Sequence, residues 1–293
     1  MFRSSVLFLI FALLHSFIPA TSQNQRRIER MIGLGDVIIA DAPLPDKVFQ
    51  AQKHKLIVQV KLTAKNDPTF TQTSSGTGTI IGAGIIITNR HVLETAKIAM
   101  EGRVHSSDFS GIILAETSAI EIPLSLAGVG EIGTFKDFMV LKTNVEVLQR
   151  AIQPSTPANP NPYEILFNNQ MKLIKKSEIG EKIYLTGYSP IVGEITDSNG
   201  YKSGAYIDII NFTFVAEILA KIEDMPINKL GKLKRLYRLK DGAEPGYSGG
   251  MALNESGYLV GIMVSLSPAQ NFVYILSSED LIDFLKENNL KIS

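Results

Sequence analysis

The 293-residue chain contains no cysteine. Thiol catalysis, cysteine-ligated zinc and a disulfide framework are therefore excluded. Net charge is lacking too, since Lys+Arg and Asp+Glu both total 29. That balance gives no reason to expect nucleic acid or an anionic membrane as a partner. There is no long run of one sign. The nearest is KLGKLKRLYRLK, residues 229–240, whose basic residues are interleaved with Leu and Tyr and read as a solvated edge or helix face. Histidine is scarce: only His15, His54, His91 and His105 are present. Any chemistry that needs an imidazole must draw on these four.

With 45% apolar and 20% charged residues, the composition is that of a folded chain long enough for one or two domains and a substantial core. The start, MFRSSVLFLIFALLHSFIPATSQ, combines a basic Arg3, an apolar run over residues 6–14 and the small residues ATS before Gln23. This is the pattern of a secretory signal, expected over residues 1–22. The uninterrupted run is short for a bilayer span, and no later stretch is long and apolar enough to be one. The expected location is secreted or periplasmic, with no integral membrane span once the signal is removed. An exported chain without disulfides must rely on its core, which fits a bacterial protein better than an animal one.

Residues 23–50 read as a polar, proline-containing lead-in or pro-segment. From Lys55 the pattern turns to short β-rich runs, LIVQVKLTA, GTGTIIG and GIIITN, punctuated by Gly, Asn and Ser. GTIIGAGIIIT reads as a hairpin turning at residues 82–84, and further runs follow at 112–114, 119–123 and 138–142. QPSTPANPNP, residues 153–162, holds four prolines and reads as a loop or connection. A second β-rich half follows, with EKIYLTGY, YIDIINFTFVAEI, GYLVGIMVSL and NFVYIL. At the end, SSEDLIDFLKENNLK reads as a helix capped by Ser277 or Ser278, with Leu281, Ile282 and Leu285 as its apolar stripe. The chain is thus all-β in two halves, joined by a proline-rich connection and closed by a helix. Short strands with Gly and Pro turns suit barrels or sandwiches.

PGYSGGM, residues 245–251, places Ser248 between glycines. It is compatible with the elbow of an α/β-hydrolase, with a nucleophile loop of another kind, and with a plain tight turn. A serine hydroxyl needs a base within hydrogen-bond reach and a third group to orient that base. The elbow architecture requires a histidine after the serine; none exists here, so that reading fails. His15 lies in the signal, His54 in polar QKHK reads as exposed, and His105 in RVHSSDF reads as part of a turn. His91 follows the apolar strand GIIIT, a rigid mount for a general base, although a purely structural hydrogen bond there is equally compatible. Glu94 gives His91 an H-x-x-E pairing, but zinc needs more ligands than that, and no metal or cofactor is expected. The orienting acid is expected at Asp137, at the start of the apolar run FMVL, where an unpaired buried carboxylate would be costly. Asp108, in polar SSDFSG, competes but reads as a turn cap.

The order His91, Asp137, Ser248 is that of chymotrypsin- and trypsin-like serine proteases. GTGTIIGAGIIITNRHV resembles the histidine segment of cysteine-poor bacterial members similar to HtrA and glutamyl endopeptidases. DFMVLK resembles the aspartate segment, and GYSGGMALNESGYLVGIMV the serine segment, so the likeness covers about residues 50–290. It implies two six-stranded antiparallel β-barrels, about residues 51–150 and 177–276, with a C-terminal helix at about 278–290, the whole protease domain being 51–293. It implies Ser248 as nucleophile, His91 as base and Asp137 as orienting acid, with the N–H groups of Gly246 and Ser248 as oxyanion hole. Gly242, Val264 and Leu266 would line the specificity pocket, which leans towards a neutral or small apolar side chain. The implied function is an exported serine endopeptidase acting on proteins or peptides. The alternative is a catalytically weak or inactive protease-fold binding module. One departure stands out. Tyr247 precedes the serine where trypsin-like zymogens carry Asp, so activation by that salt bridge is not expected despite RRIERMIG at residues 26–33. The chain ends soon after the helix, so a PDZ domain is not expected. Oligomeric state is not legible.

Overall fold

The computed structural model describes residues 36–39, 44–100, 103–115, 118–131, 136–144, 170–174, 176–196, 202–227, 231–240, 247–267 and 272–290. In chain order the elements are β1 (Asp36–Ile39), α1 (Asp46–Ala51), β2 (Lys55–Ala64), β3 (Thr71–Gly82), β4 (Ile85–Thr88) and α2 (Arg90–Ala99). They continue with β5 (Val104–Ala115), β6 (Ser118–Val129), β7 (Met139–Lys142), β8 (Lys182–Thr196) and β9 (Lys202–Ile227). Last come β10 (Gly231–Lys240), β11 (Met251–Asn254), β12 (Leu259–Ser267), β13 (Phe272–Ser277) and α3 (Ser278–Glu287). Strands β2-β3-β4-β7-β6-β5 close into one antiparallel barrel. Strands β9-β10-β13-β12-β11-β8 close into a second through the β8–β9 pairing. Two six-stranded barrels and a C-terminal helix are the architecture the sequence resemblance implies.

Side-chain period builds the first barrel. In β2, Leu56, Val58, Val60 and Leu62 alternate inward and are all fully buried. They pack with Ile80, Ile86, Ile122, Met139 and Leu141 to fill the barrel. β4, the expected IIIT run, is buried on both faces between β3 and β7. The second barrel is filled by Leu185, Phe214, Ile218, Tyr237, Leu239, Val260 and Ile275. A third cluster lies between them. Ile81, Ile87, Phe138 and Val140 from the first barrel meet Met251, Ile262, Val264 and Leu276 from the second, under Leu281, Phe284 and Leu285 of α3. This shared core fixes one barrel against the other, which matters because the site draws on both. Ser277 caps α3 by accepting from the Asp280 N–H at 3.3 Å. Of the expected stripe, Leu281 and Leu285 are buried, with Phe284 rather than Ile282 as the third member.

Four expectations change in the folded chain. From Gly231 on, KLGKLKRLYRLK becomes β10, a barrel strand that pairs with β9 along its length and with β13 over Leu236–Lys240, and not a helix. Its alternation buries Tyr237 and Leu239 and aims Arg235 at α3, where Asp280 and Asp283 accept from its guanidinium at 2.6 and 2.5 Å. His105 and Asp108 lie within β5, not in a turn; Asp108 pairs with Lys61 of β2 and His105 sits at a register shift of the same ladder, so strand pairing overrides their turn preference. His54 is buried, not exposed, with 8% of its surface accessible. The segment read as a lead-in also contributes structure: β1 adds to β9 in parallel, and α1 buries Val48 and Ala51 in the shared core. QPSTPANPNP lies outside the described residues.

Two outcomes follow from these placements. Burial holds the His54 imidazole below its ordinary value, with a hydrogen bond to the Ile80 backbone opposing that shift. The folded state therefore binds this proton less readily than the unfolded chain, and stability is expected to fall as pH drops below about 6.5. Denaturant titrations at pH 7.5 and 5 should show that loss, and His54→Asn should flatten it. Removing the chain up to residue 51 strips Val48 and Ala51 from the core. At about 2 kcal/mol for a fully buried valine, the melting temperature should fall by several degrees, read by circular dichroism.

Candidate active site

Helix α2 begins where β4 ends, and it needs partners for its first N–H groups. Its own first turn holds no acid. Asp137, just before β7, supplies them from across the barrel. Its backbone carbonyl accepts from the Arg90 N–H at 3.2 Å and its Oδ1 from the His91 N–H at 2.9 Å. A carboxylate at a helix N-terminus also lies at the favourable end of the helix dipole. The other oxygen, Oδ2, lies 2.7 Å from His91 Nδ1. Asp137 is completely buried and His91 keeps 17% of its side-chain surface. Because a carboxylate only accepts, the proton sits on Nδ1, and Nε2 is left to accept. The atom it faces is Ser248 Oγ, at 2.7 Å.

Ser248 reaches that point on a turn between β10 and β11 that both barrels hold. Within the turn, the Gly250 N–H donates to the Tyr247 carbonyl at 2.7 Å. From the first barrel, the Thr77 N–H donates to the Ser248 carbonyl at 2.9 Å, and the Thr79 hydroxyl donates to the Gly249 carbonyl at 2.9 Å. From the second, the Gly249 N–H donates to the Met263 carbonyl at 2.9 Å. Gly249 has φ +85°, and a Cβ there would stand 2.1 Å from the Thr77 carbonyl oxygen. Only glycine fits, because the left-handed backbone and the close approach both exclude a side chain.

The structure thus brings together His91, Asp137 and Ser248 from the two barrels. Asp108 is exposed on β5, away from them. Val264, expected on a pocket wall, instead lies 2% exposed within the shared core, at a register shift in the β12–β13 ladder. Leu266 lies on β12 opposite Val273. Gly242 and Gly246 lie outside the described residues. Several participants were not anticipated. Arg90 is fully buried, with its Nε 3.9 Å from Asp137 Oδ1 and its guanidinium donating to the Glu131 carbonyl. Asn89 donates to the Asp137 carbonyl at 3.2 Å. Thr77 joins β3 to the serine turn. Arg90 and Asn89 stand beside His91 in TNRHV, where polar residues directly after a buried strand are a readable signal. Nothing in the sequence distinguishes Thr77.

Comparison with known proteins agrees with this architecture. No curated protein matches the chain in sequence. Among solved structures, the Rv3671c protease from M. tuberculosis in its active form shares 14% identity, with a TM-score of 0.51 over 88% of this chain and 91% of that one. The HtrA-type protease AlgW with a decapeptide shares 15% identity, with a TM-score of 0.52 over 85% of this chain and 68% of that one. Deg5 shares 14%, with a TM-score of 0.50 over 81% and 90%. At these identities the likeness is one of fold, the chymotrypsin-like pair of barrels. The trypsin-like peptidase domain matches in sequence over residues 76–262, a span that includes His91, Asp137 and Ser248, and the chain belongs to that family.

Proposed function

We propose that the protein is an exported serine endopeptidase working through an acyl-enzyme. The observation that carries this reading is the single imidazole placed 2.7 Å from both the Asp137 carboxylate and the Ser248 hydroxyl. Ser248 Oγ attacks the carbonyl carbon of a peptide bond while its proton passes to His91 Nε2. Asp137 holds the ring and stabilises the imidazolium that forms. As the C–N bond breaks, His91 returns that proton to the leaving amine. Water then attacks the acyl-enzyme, gives one proton to His91 and releases the acid, and Ser248 recovers its hydrogen. The N–H groups of Ser248 and Gly246 hold the oxyanion, each worth about 10²–10³ in rate. Export rests on the signal-like residues 1–22.

Incubating residues 23–293 with a peptide library and, separately, with an ester panel tests this reading. Internal cleavage of peptides is expected. Turnover of esters alone would make the protein an esterase on the same triad, and turnover of neither would favour a binding module.

A further inference from the structure

Trypsin-like zymogens hold the serine loop through an Asp at the position that Tyr247 occupies, so this chain must hold it by other means. Tyr247 is 2% exposed and belongs to the interior of the second barrel. Its ring meets the rings of Phe212 and Phe214 edge-on, at 5.9 Å and 72° and at 5.9 Å and 75°. Those two rings project from the same face of β9 and stack 5.8 Å apart at 4°. Steeply inclined aromatic pairs at this separation are favourable and directional contacts. The third wall is Gly187 of β8, directly across from Phe212 in the ladder. A Cβ at Gly187 would stand 2.5 Å from Tyr247 Cδ1, so the ring fills the gap that this glycine leaves. The next residue, Tyr188, donates its N–H to Thr77 Oγ1 at 2.9 Å, and the Thr77 N–H in turn holds the Ser248 carbonyl. One short stretch of β8 therefore supports both ends of the Tyr247–Ser248 unit.

We propose that Tyr247 is a positioning residue. Its ring, seated on Phe212, Phe214 and Gly187, takes the place of an activation salt bridge and fixes the turn that aims Ser248 at His91. The serine site is thereby assembled by packing and needs no newly created N-terminus. This rests on the proposed catalytic role of Ser248. The next residue in the chain is Ser248 itself, and the Gly250 N–H to Tyr247 carbonyl bond closes the turn, so a shift of the ring moves the nucleophile with it.

Three single variants, Tyr247→Ala, Tyr247→Phe and Gly187→Ala, and the double variant that joins Gly187→Ala to Tyr247→Ala test the idea. With residues 23–293, kcat and KM on a cleaved peptide and the rate of fluorophosphonate labelling are read well below the melting temperature. Tyr247→Ala is expected to lower kcat and the labelling rate about 10²-fold, the scale of a misplaced reacting group, with KM near its original value. Tyr247→Phe keeps the ring and should retain most of the activity. Gly187→Ala should lower kcat by crowding the ring, and should cost little more when added to Tyr247→Ala, because both act through one seat. A Tyr247→Ala protein that is folded and as active as the parent would overturn the proposal, as would a Tyr247→Phe protein as impaired as Tyr247→Ala. If Tyr247→Ala fails to fold, Gly187→Ala decides alone, and an unchanged labelling rate rejects the seat. A crystal structure of whichever of these two variants folds separates this question from catalysis. Ser248 displaced from His91 supports the seat even if the parent proves inactive, and an unmoved turn contradicts it.

Discussion

Replacing Ser248 by alanine is expected to lower kcat by about 10⁶-fold, the scale at which a serine nucleophile is lost from a triad of this kind. The size follows from what the hydroxyl does. On the proposed mechanism no acyl-enzyme forms without it, and the remaining acceleration would come only from substrate binding and the proposed oxyanion donors. Folding should be little affected. The turn is held through backbone groups, the Ser248 carbonyl on Thr77 and the Gly249 N–H on Met263, and alanine keeps both. A progress curve with the variant at high concentration measures the residual rate, and an unchanged melting curve shows that the loss is chemical.

Asp137→Asn is expected to lower kcat about 10⁴-fold with the site geometry largely kept. Here the physical reason lies in the imidazole. Asp137 Oδ2 only accepts, so it fixes the proton on His91 Nδ1 and leaves Nε2 to accept from Ser248. An amide of the same shape can present its NH2 group instead, which moves the proton to Nε2 and turns the base into a donor. The substitution also removes a buried negative charge beside Arg90, with which Asp137 pairs at 3.9 Å. Taking a negative charge away from beside a fully buried guanidinium is costly, so Asp137→Asn should lower stability more than Ser248→Ala. Steady-state kinetics together with thermal melts of the two variants check both statements.

The three central side chains were legible because each stands in a local pattern that survives folding. His91 follows a strand that is apolar on both faces, Asp137 precedes another, and Ser248 sits among glycines where the backbone needs them. Their order along the chain then excluded the competing architecture. Other features depend on what the chain meets in three dimensions. The basic residues of KLGKLKRLYRLK looked like a solvated surface, since nothing local shows that Asp280 and Asp283 wait for Arg235 or that Tyr237 turns into a barrel. His54 looked exposed among lysines, but α1 and β3 close over it. Val264 was assigned to a pocket by its place beside the serine segment, while strand period points it into the core between the barrels. Tyr247 was noticed as a misfit, and its partners Phe212, Phe214 and Gly187 lie far from it in sequence, joined only by the register of β8 and β9.

The central claim is that Ser248 is a nucleophile activated by His91. Its most direct test is to treat folded residues 23–293 with a fluorophosphonate probe and map the adduct by mass spectrometry. The account predicts a single adduct on the peptide that contains Ser248, formed much more slowly in Asp137→Asn and absent in Ser248→Ala. A folded protein that takes up no probe, or that carries it on another residue, would contradict it.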